Sequence, residues 1–127
     1  MRLRRRRGMS LVEVMVVIAI VLTLTSVLAI GVYSIWEQSR VDTTRLLLGR
    51  LGASVEIYAV RTGHPPSQAE GLAPLGIEIP TDAWGRPFSY RTPGPDGAAY
   101  ELMSLGRDGE EGGADLDEDL VWSPPRK

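Results

Sequence analysis

Two groups of side chains in this 127-residue chain could do chemistry. The first is Glu13, the only charge in the apolar run from Met9 to Tyr33. A carboxylate near lipid hydrocarbon costs on the order of 2–3 kcal/mol unless something pairs with it. Were the chain cut after Gly8, the new amino terminus on Met9 would supply a cation a few residues away. Reaching it within one helix is awkward, whereas reaching it from a neighbouring copy is easy. The second group is Asp108, Glu110, Glu111, Asp115, Asp117, Glu118 and Asp119, seven carboxylates within twelve residues.

Those seven acids repel one another unless compensated. A hard dication that takes six to eight oxygens at about 2.3–2.6 Å would reverse the repulsion, and Gly106, Gly109, Gly112 and Gly113 would let backbone carbonyls turn inward. The spacing Asp115-x-Asp117-x-Asp119 is superficially that of an EF-hand, but Leu120 stands where that loop needs glycine and no flanking helices are evident. On composition alone, a solvated acidic tail is the competing reading. Nucleophilic catalysis finds no support. The single histidine, His64, sits beside Pro65 and Pro66, there is no cysteine, and no serine motif accompanies it. Nor is there a phosphate-binding loop.

The elements that must position these groups follow from hydropathy and punctuation. Val14–Tyr33 is 20 residues without a charge, which as a helix spans roughly 30 Å, the thickness of a bilayer's hydrocarbon. Arg2, Arg4, Arg5, Arg6 and Arg7 precede it, so the N-terminal side is expected to stay cytoplasmic and the bulk of the chain to lie outside. A cleaved secretory signal is the alternative, but Ala29-Ile30-Gly31 only weakly imitates its cleavage site. Apolar positions at Val41, Leu48, Leu51, Val55 and Tyr58, widened by Leu47 and Ile57, extend the pattern into one helix from about Ser10 to Thr62. Two helices with a break near Gly31 or within 49–52 are the alternative. Gly63 and then Pro65-Pro66 end it.

Beyond the helix, Ser67–Glu70 can open one helical turn. Phe88–Arg91 and Ala99–Leu105 alternate around a Pro93–Gly97 turn and predict a β-hairpin, with Ile77–Ile79 as a third, edge strand. Trp36, Trp84 and Trp122 read as packing anchors. The expected fold class is therefore α+β, a long N-terminal helix on a small antiparallel sheet. With no cysteine, no disulfide can close so small a domain, and another staple, a metal or an oligomer, is expected. Without the five leader arginines, nine basic residues face 16 acidic ones, a net charge of −7, which argues against a nucleic-acid partner.

Arg4-Arg5-Arg6-Arg7-Gly8, Met9 and Glu13, the fifth residue after the cut, resemble the processing site of type IV pilin-like proteins. Met9 stands where phenylalanine is more usual, and the apolar helix lacks a proline. Three later stretches resemble the major pseudopilin of type II secretion systems: the post-helix loop Gly63–Leu72, the segment Asp82-Ala83-Trp84-Gly85-Arg86-Pro87-Phe88-Ser89-Tyr90, with Ala83 where proline is usual, and the C-terminal metal loop from Ser104 to Trp122. The stretch between Leu75 and Asp82 is shorter than usual. The resemblance implies a basic leader at 1–8, a membrane-spanning and filament-core helix at 9–33, and a periplasmic domain at 34–127. It also implies cleavage between Gly8 and Met9 by a prepilin peptidase, N-methylation of Met9, and assembly through Glu13. A calcium ion would be held by Asp108, Asp115, Asp117, Asp119 and the Leu105 carbonyl. The implied role is a non-enzymatic filament subunit at the bacterial inner membrane, working with minor pseudopilins and an assembly platform to export proteins across the outer membrane. A type IV pilus subunit, or a single-span anchored binding domain that never assembles, are the alternatives.

Overall fold

The structure is a computed structural model that describes residues 8–125; the leader arginines Arg2 and Arg4–Arg7 lie outside the described residues. A single unbroken helix, α1 (Leu11–Thr62), runs for 52 residues, so neither Gly31 nor the glycines at 49 and 52 interrupt it. Gly63, at φ 86°, accepts the left-handed conformation that stops it, and its N–H still donates to the Ala59 carbonyl. The chain divides into two compact units, Met1–Trp36 and Glu37–Lys127.

In the first unit every described residue is exposed, and the helix is long and apolar enough to cross a membrane. Its serine and threonine hydroxyls donate within the helix. Thr23, Thr25 and Ser26 donate to the carbonyls of Ala19, Val21 and Leu22, one turn back. Such back-bonding lets a hydroxyl sit among apolar side chains without an unmet hydrogen bond. Trp36, expected as a packing anchor, is 66% exposed and takes no part in the core.

In the second unit one stripe of α1 is buried: Glu37, Val41, Thr44, Leu48, Leu51, Gly52 and Val55. Steps of three and four residues keep these on one face. They pack on Phe88, Tyr100, Leu102 and Leu120 to form the core. Ile57, read as part of this stripe, is exposed instead, because it falls on the opposite side of the helical wheel. The sheet has three antiparallel strands, β1 (Ser89–Arg91), β2 (Glu101–Ser104) and β3 (Leu120–Trp122), in the order β1-β2-β3. Tyr90 opposes Leu102, and Leu102 opposes Trp122, so one cross-strand row faces the helix.

The expected hairpin is β1–β2, with strands shorter than anticipated and a 3-10 turn at Pro95–Gly97. The third strand is β3 and not Ile77–Ile79, which forms no strand; Pro80 cannot supply a ladder N–H there. Ser67–Glu70 does turn: Ser67 donates through its N–H and its hydroxyl to the Glu70 carboxylate, which holds that carboxyl below its usual range. A short 3-10 helix, Ala73–Leu75, follows.

The tightest contact between α1 and the sheet is at Gly52, where an added Cβ would lie 2.6 Å from the Trp122 indole ring. Only a residue without a side chain lets β3 come this close. Tyr100 stacks between Tyr90 and Trp122, at ring-centroid distances of 6.0 and 5.6 Å. Its hydroxyl reaches the Gly52 carbonyl and the Glu56 carboxylate, both at 3.1 Å. Burial, with Glu56 nearby, pushes the Tyr100 phenol well above its ordinary value.

Candidate assembly and metal-binding sites

Gly8, Met9 and Ser10 precede α1 without regular structure, and all three are exposed. Ser10 is the helix cap: its hydroxyl accepts the Glu13 N–H at 3.2 Å, and its carbonyl accepts that of Val14. Ser10-Leu11-Val12-Glu13 thus has the spacing of a capping box, a role for Ser10 that the sequence carried and that attention to Glu13 alone overlooks. Glu13 lies in the first turn, where a carboxylate is favoured by the helix dipole. Its carboxylate has no partner among the described residues.

The acidic loop between β2 and β3 rests on a buried polar hub. Asp82, only 4% exposed, accepts from the N–H groups of Trp84 and Arg86 through Oδ1 and from the Ser104 hydroxyl through Oδ2, at 3.0, 2.8 and 2.7 Å. Ala83 N–H donates to Thr44 Oγ1 on α1, and the Trp84 indole N–H donates to Glu37 Oε2. This turn aims Arg86 beneath the loop, where its Nη1 donates to the carbonyls of Gly106 and Arg107 at 2.7 and 3.0 Å. Gly109 allows the approach: a Cβ there would stand 2.6 Å from the guanidinium carbon.

Within the loop the five candidate metal ligands have distinct surroundings. Asp117 is gripped by Arg107, whose Nε and Nη2 donate to its two oxygens at 2.8 and 2.9 Å. That hydrogen bonding holds the Asp117 carboxyl below the usual range. Both Asp117 oxygens are thus occupied by Arg107 in this structure. Asp108 Oδ1 accepts the Glu110 N–H, the Leu105 carbonyl accepts that of Gly109, and Asp115 is exposed with φ 56°. Asp119 accepts the Gly112 N–H through Oδ2 at 2.9 Å. Its Oδ1 is buried and has no hydrogen-bond partner among the described residues.

Among the described residues, no three acidic, histidine or cysteine side chains converge as a metal site. The donor chemistry nonetheless suits a hard cation. The orphaned Asp119 oxygen is the kind of group that such an ion satisfies. Arg86, Arg107 and Asp82 are the residues that sequence reasoning passed over. Asp82 had a visible signal, an aspartate three residues before a glycine in turn chemistry, whereas nothing local marks Arg107 as the partner of Asp117.

An apolar helix of membrane-spanning length, continuous with a stretch buried on a small antiparallel sheet, is the α+β architecture of the type IV pilin-like proteins. Residues 3–33 match the prokaryotic N-terminal methylation motif, and residues 74–123 match the type II secretion system protein G model. The chain is 31% identical to the type II secretion system core protein G of Pseudomonas aeruginosa, over 94% of this chain and 96% of that protein. Against the core protein G of Xanthomonas campestris it is 30% identical, over 91% and 88%, and against that of Escherichia coli 29%, over 87% and 88%. The chain belongs to the type II secretion system protein G family, the major pseudopilins. Members are structural subunits, and the apolar helix is the membrane anchor of one.

Proposed function

We infer that the chain is stored in the bacterial inner membrane with residues 34–127 in the periplasm. A prepilin peptidase cuts it between Gly8 and Met9, Met9 is N-methylated, and the product joins a filament that drives export across the outer membrane. The observation that supports this most directly is Glu13, a carboxylate without a partner among the described residues, inside the matched methylation motif and one turn from the new terminus. Paired with the Met9 ammonium of the next subunit, it would set the register of adjacent helices. Desolvation offsets much of such a pair's attraction, so its value lies in alignment more than in adhesion. Mass spectrometry of the membrane-extracted chain should find N-methyl-Met9 as its first residue, and Glu13→Leu should insert but fail to assemble. An intact Met1 terminus, or normal filaments from Glu13→Leu, would refute the reading.

Calcium is the ion proposed for the acidic loop. Asp119 would hold it, with Asp108, Asp115 and the Leu105 carbonyl as further donors, and Asp117 would join only on release from Arg107. The ion would neutralise the clustered acids and close a domain that has no disulfide. Chelation should lower the melting temperature of the detergent-solubilised chain, calcium should restore it, and Asp119→Ala should abolish the difference. Identical melting curves with and without calcium would remove the ion from the account.

A further inference from the structure

Tyr33 and Trp36 are the first aromatic residues of the chain, and they stand together at the end of its apolar run. No phenylalanine, tyrosine or tryptophan occurs in residues 1–32, and the next aromatic is Tyr58. Three residues apart, the two are neighbours on one face of α1, 55 and 66% exposed. Packing in the soluble unit does not account for them. The buried stripe of α1 begins only at Glu37, and the indoles packed against the core are those of Trp84 and Trp122.

Their distance from Glu13 supplies a reason. Glu13 is the last charge before Glu37. At about 1.5 Å per residue, Tyr33 stands roughly 30 Å along the helix from Glu13 and Trp36 roughly 35 Å, against a hydrocarbon thickness of ~30 Å. With Glu13 at one edge of the hydrocarbon, Tyr33 reaches the other edge and Trp36 lies one turn beyond it, among the headgroups. A ring that is apolar in its body and carries a single N–H or O–H at its rim suits that layer, where acyl chains give way to ester and phosphate oxygens. Ser34, between the two rings, donates its hydroxyl to the Gly31 carbonyl and so brings no unmet donor into the same layer.

We propose that Tyr33 and Trp36 anchor the stored subunit in the periplasmic headgroup layer of a phospholipid bilayer, with the Trp36 indole N–H and the Tyr33 hydroxyl donating to lipid oxygens, and that this pair sets how far α1 emerges from the membrane. Both rings lie at one end of the run, so the depth is fixed from the periplasmic side. Removal of residues 1–8 would take away the basic flank and leave this pair in place. The proposal rests on the membrane-storage reading above and adds to it the residues that determine depth.

The test reconstitutes the full-length chain, without secretion machinery, into vesicles of phosphatidylethanolamine and phosphatidylglycerol. Lipid brominated near the headgroup should quench part of the tryptophan emission, and lipid brominated near the chain ends should quench less. Trp36→Phe should remove the quenched part, because Trp84 and Trp122 belong to the core of the soluble unit. The chain has no cysteine, so Ser34→Cys provides a single thiol for a membrane-impermeant maleimide. Replacing Tyr33 and Trp36 together by alanine should speed its labelling about fivefold, as the end of the helix loses its hold on the interface, and should leave the melting temperature unchanged. Stronger quenching by the deeper label, or labelling that the alanine pair leaves unchanged or slows, would overturn the proposal. Quenching that disappears as the chain becomes denser in the bilayer would place a second copy against Trp36 and would overturn it too. If the wild-type chain resists alkaline extraction while Trp36 goes unquenched, only the anchor is wrong. If alkaline carbonate strips the wild-type chain from the vesicles, the membrane reading fails and the anchor fails with it.

Discussion

Replacing Asp82 by alanine tests whether the hub beneath the acidic loop holds the soluble unit together. Its carboxylate accepts three hydrogen bonds, and Ser104, one of the donors, is wholly buried. A hydrogen bond to a charged group contributes about 1.5–3 kcal/mol, and a buried group left unsatisfied costs ~1–3 kcal/mol. The three bonds share one acceptor and do not sum independently, so the expected loss is about 4 kcal/mol. A small domain has roughly 5–15 kcal/mol in total. At about 4–8 °C per kcal/mol for a unit of this size, Asp82→Ala should melt roughly 15–30 °C lower by circular dichroism of the detergent-solubilised chain. Asp82→Asn keeps Oδ1 as acceptor and offers Nδ2 to the Ser104 oxygen, so it should lose only about 1 kcal/mol, on the order of 5 °C. A melting point for Asp82→Ala within a few degrees of wild type, or an asparagine variant as damaged as the alanine one, would refute the hub.

Two glycines three residues apart should respond oppositely. Gly52→Ala forces a methyl group into the Trp122 ring and should cost about 1–3 kcal/mol beyond its gain in helix propensity, whereas Gly49→Ala should stabilise by up to ~1 kcal/mol; thermal melts of the two variants compare them directly. Acid should expose the Arg107–Asp117 pair. Because the Asp117 carboxyl is held low in the folded chain, its contribution is present above the ordinary carboxylate value near pH 4 and is lost as pH falls through the lowered one. Arg107→Ala should flatten that acid limb in a series of melts, and an unchanged limb would show that the pair does not contribute.

Much of this fold was legible because the strongest signals are long. An apolar run of bilayer length, then a period near 3.6 ending at Gly63, specified α1 almost to the residue, and turn chemistry at Pro93–Gly97 specified the hairpin. What failed was short or depended on distant partners. β3 is as short as β1 but has no adjacent turn chemistry to mark it, and its neighbours Glu118 and Asp119 disguise it as tail. Ile57 was misassigned because a helix with apolar residues on both faces gives no single phase. At the candidate sites the acids were plain, but Arg107, embedded among them, reads as one more loop charge until the fold sets it against Asp117.

The seat that Gly52 provides for Trp122 also bears on biogenesis. The last strand is the piece that closes the unit, so ribosomal synthesis delivers the stem and the hairpin before the keystone exists. Until Leu120–Trp122 emerges, the part of the α1 stripe that Leu120 and Trp122 cover stays wet, and a chain truncated ahead of that strand would present this surface to chaperones and proteases.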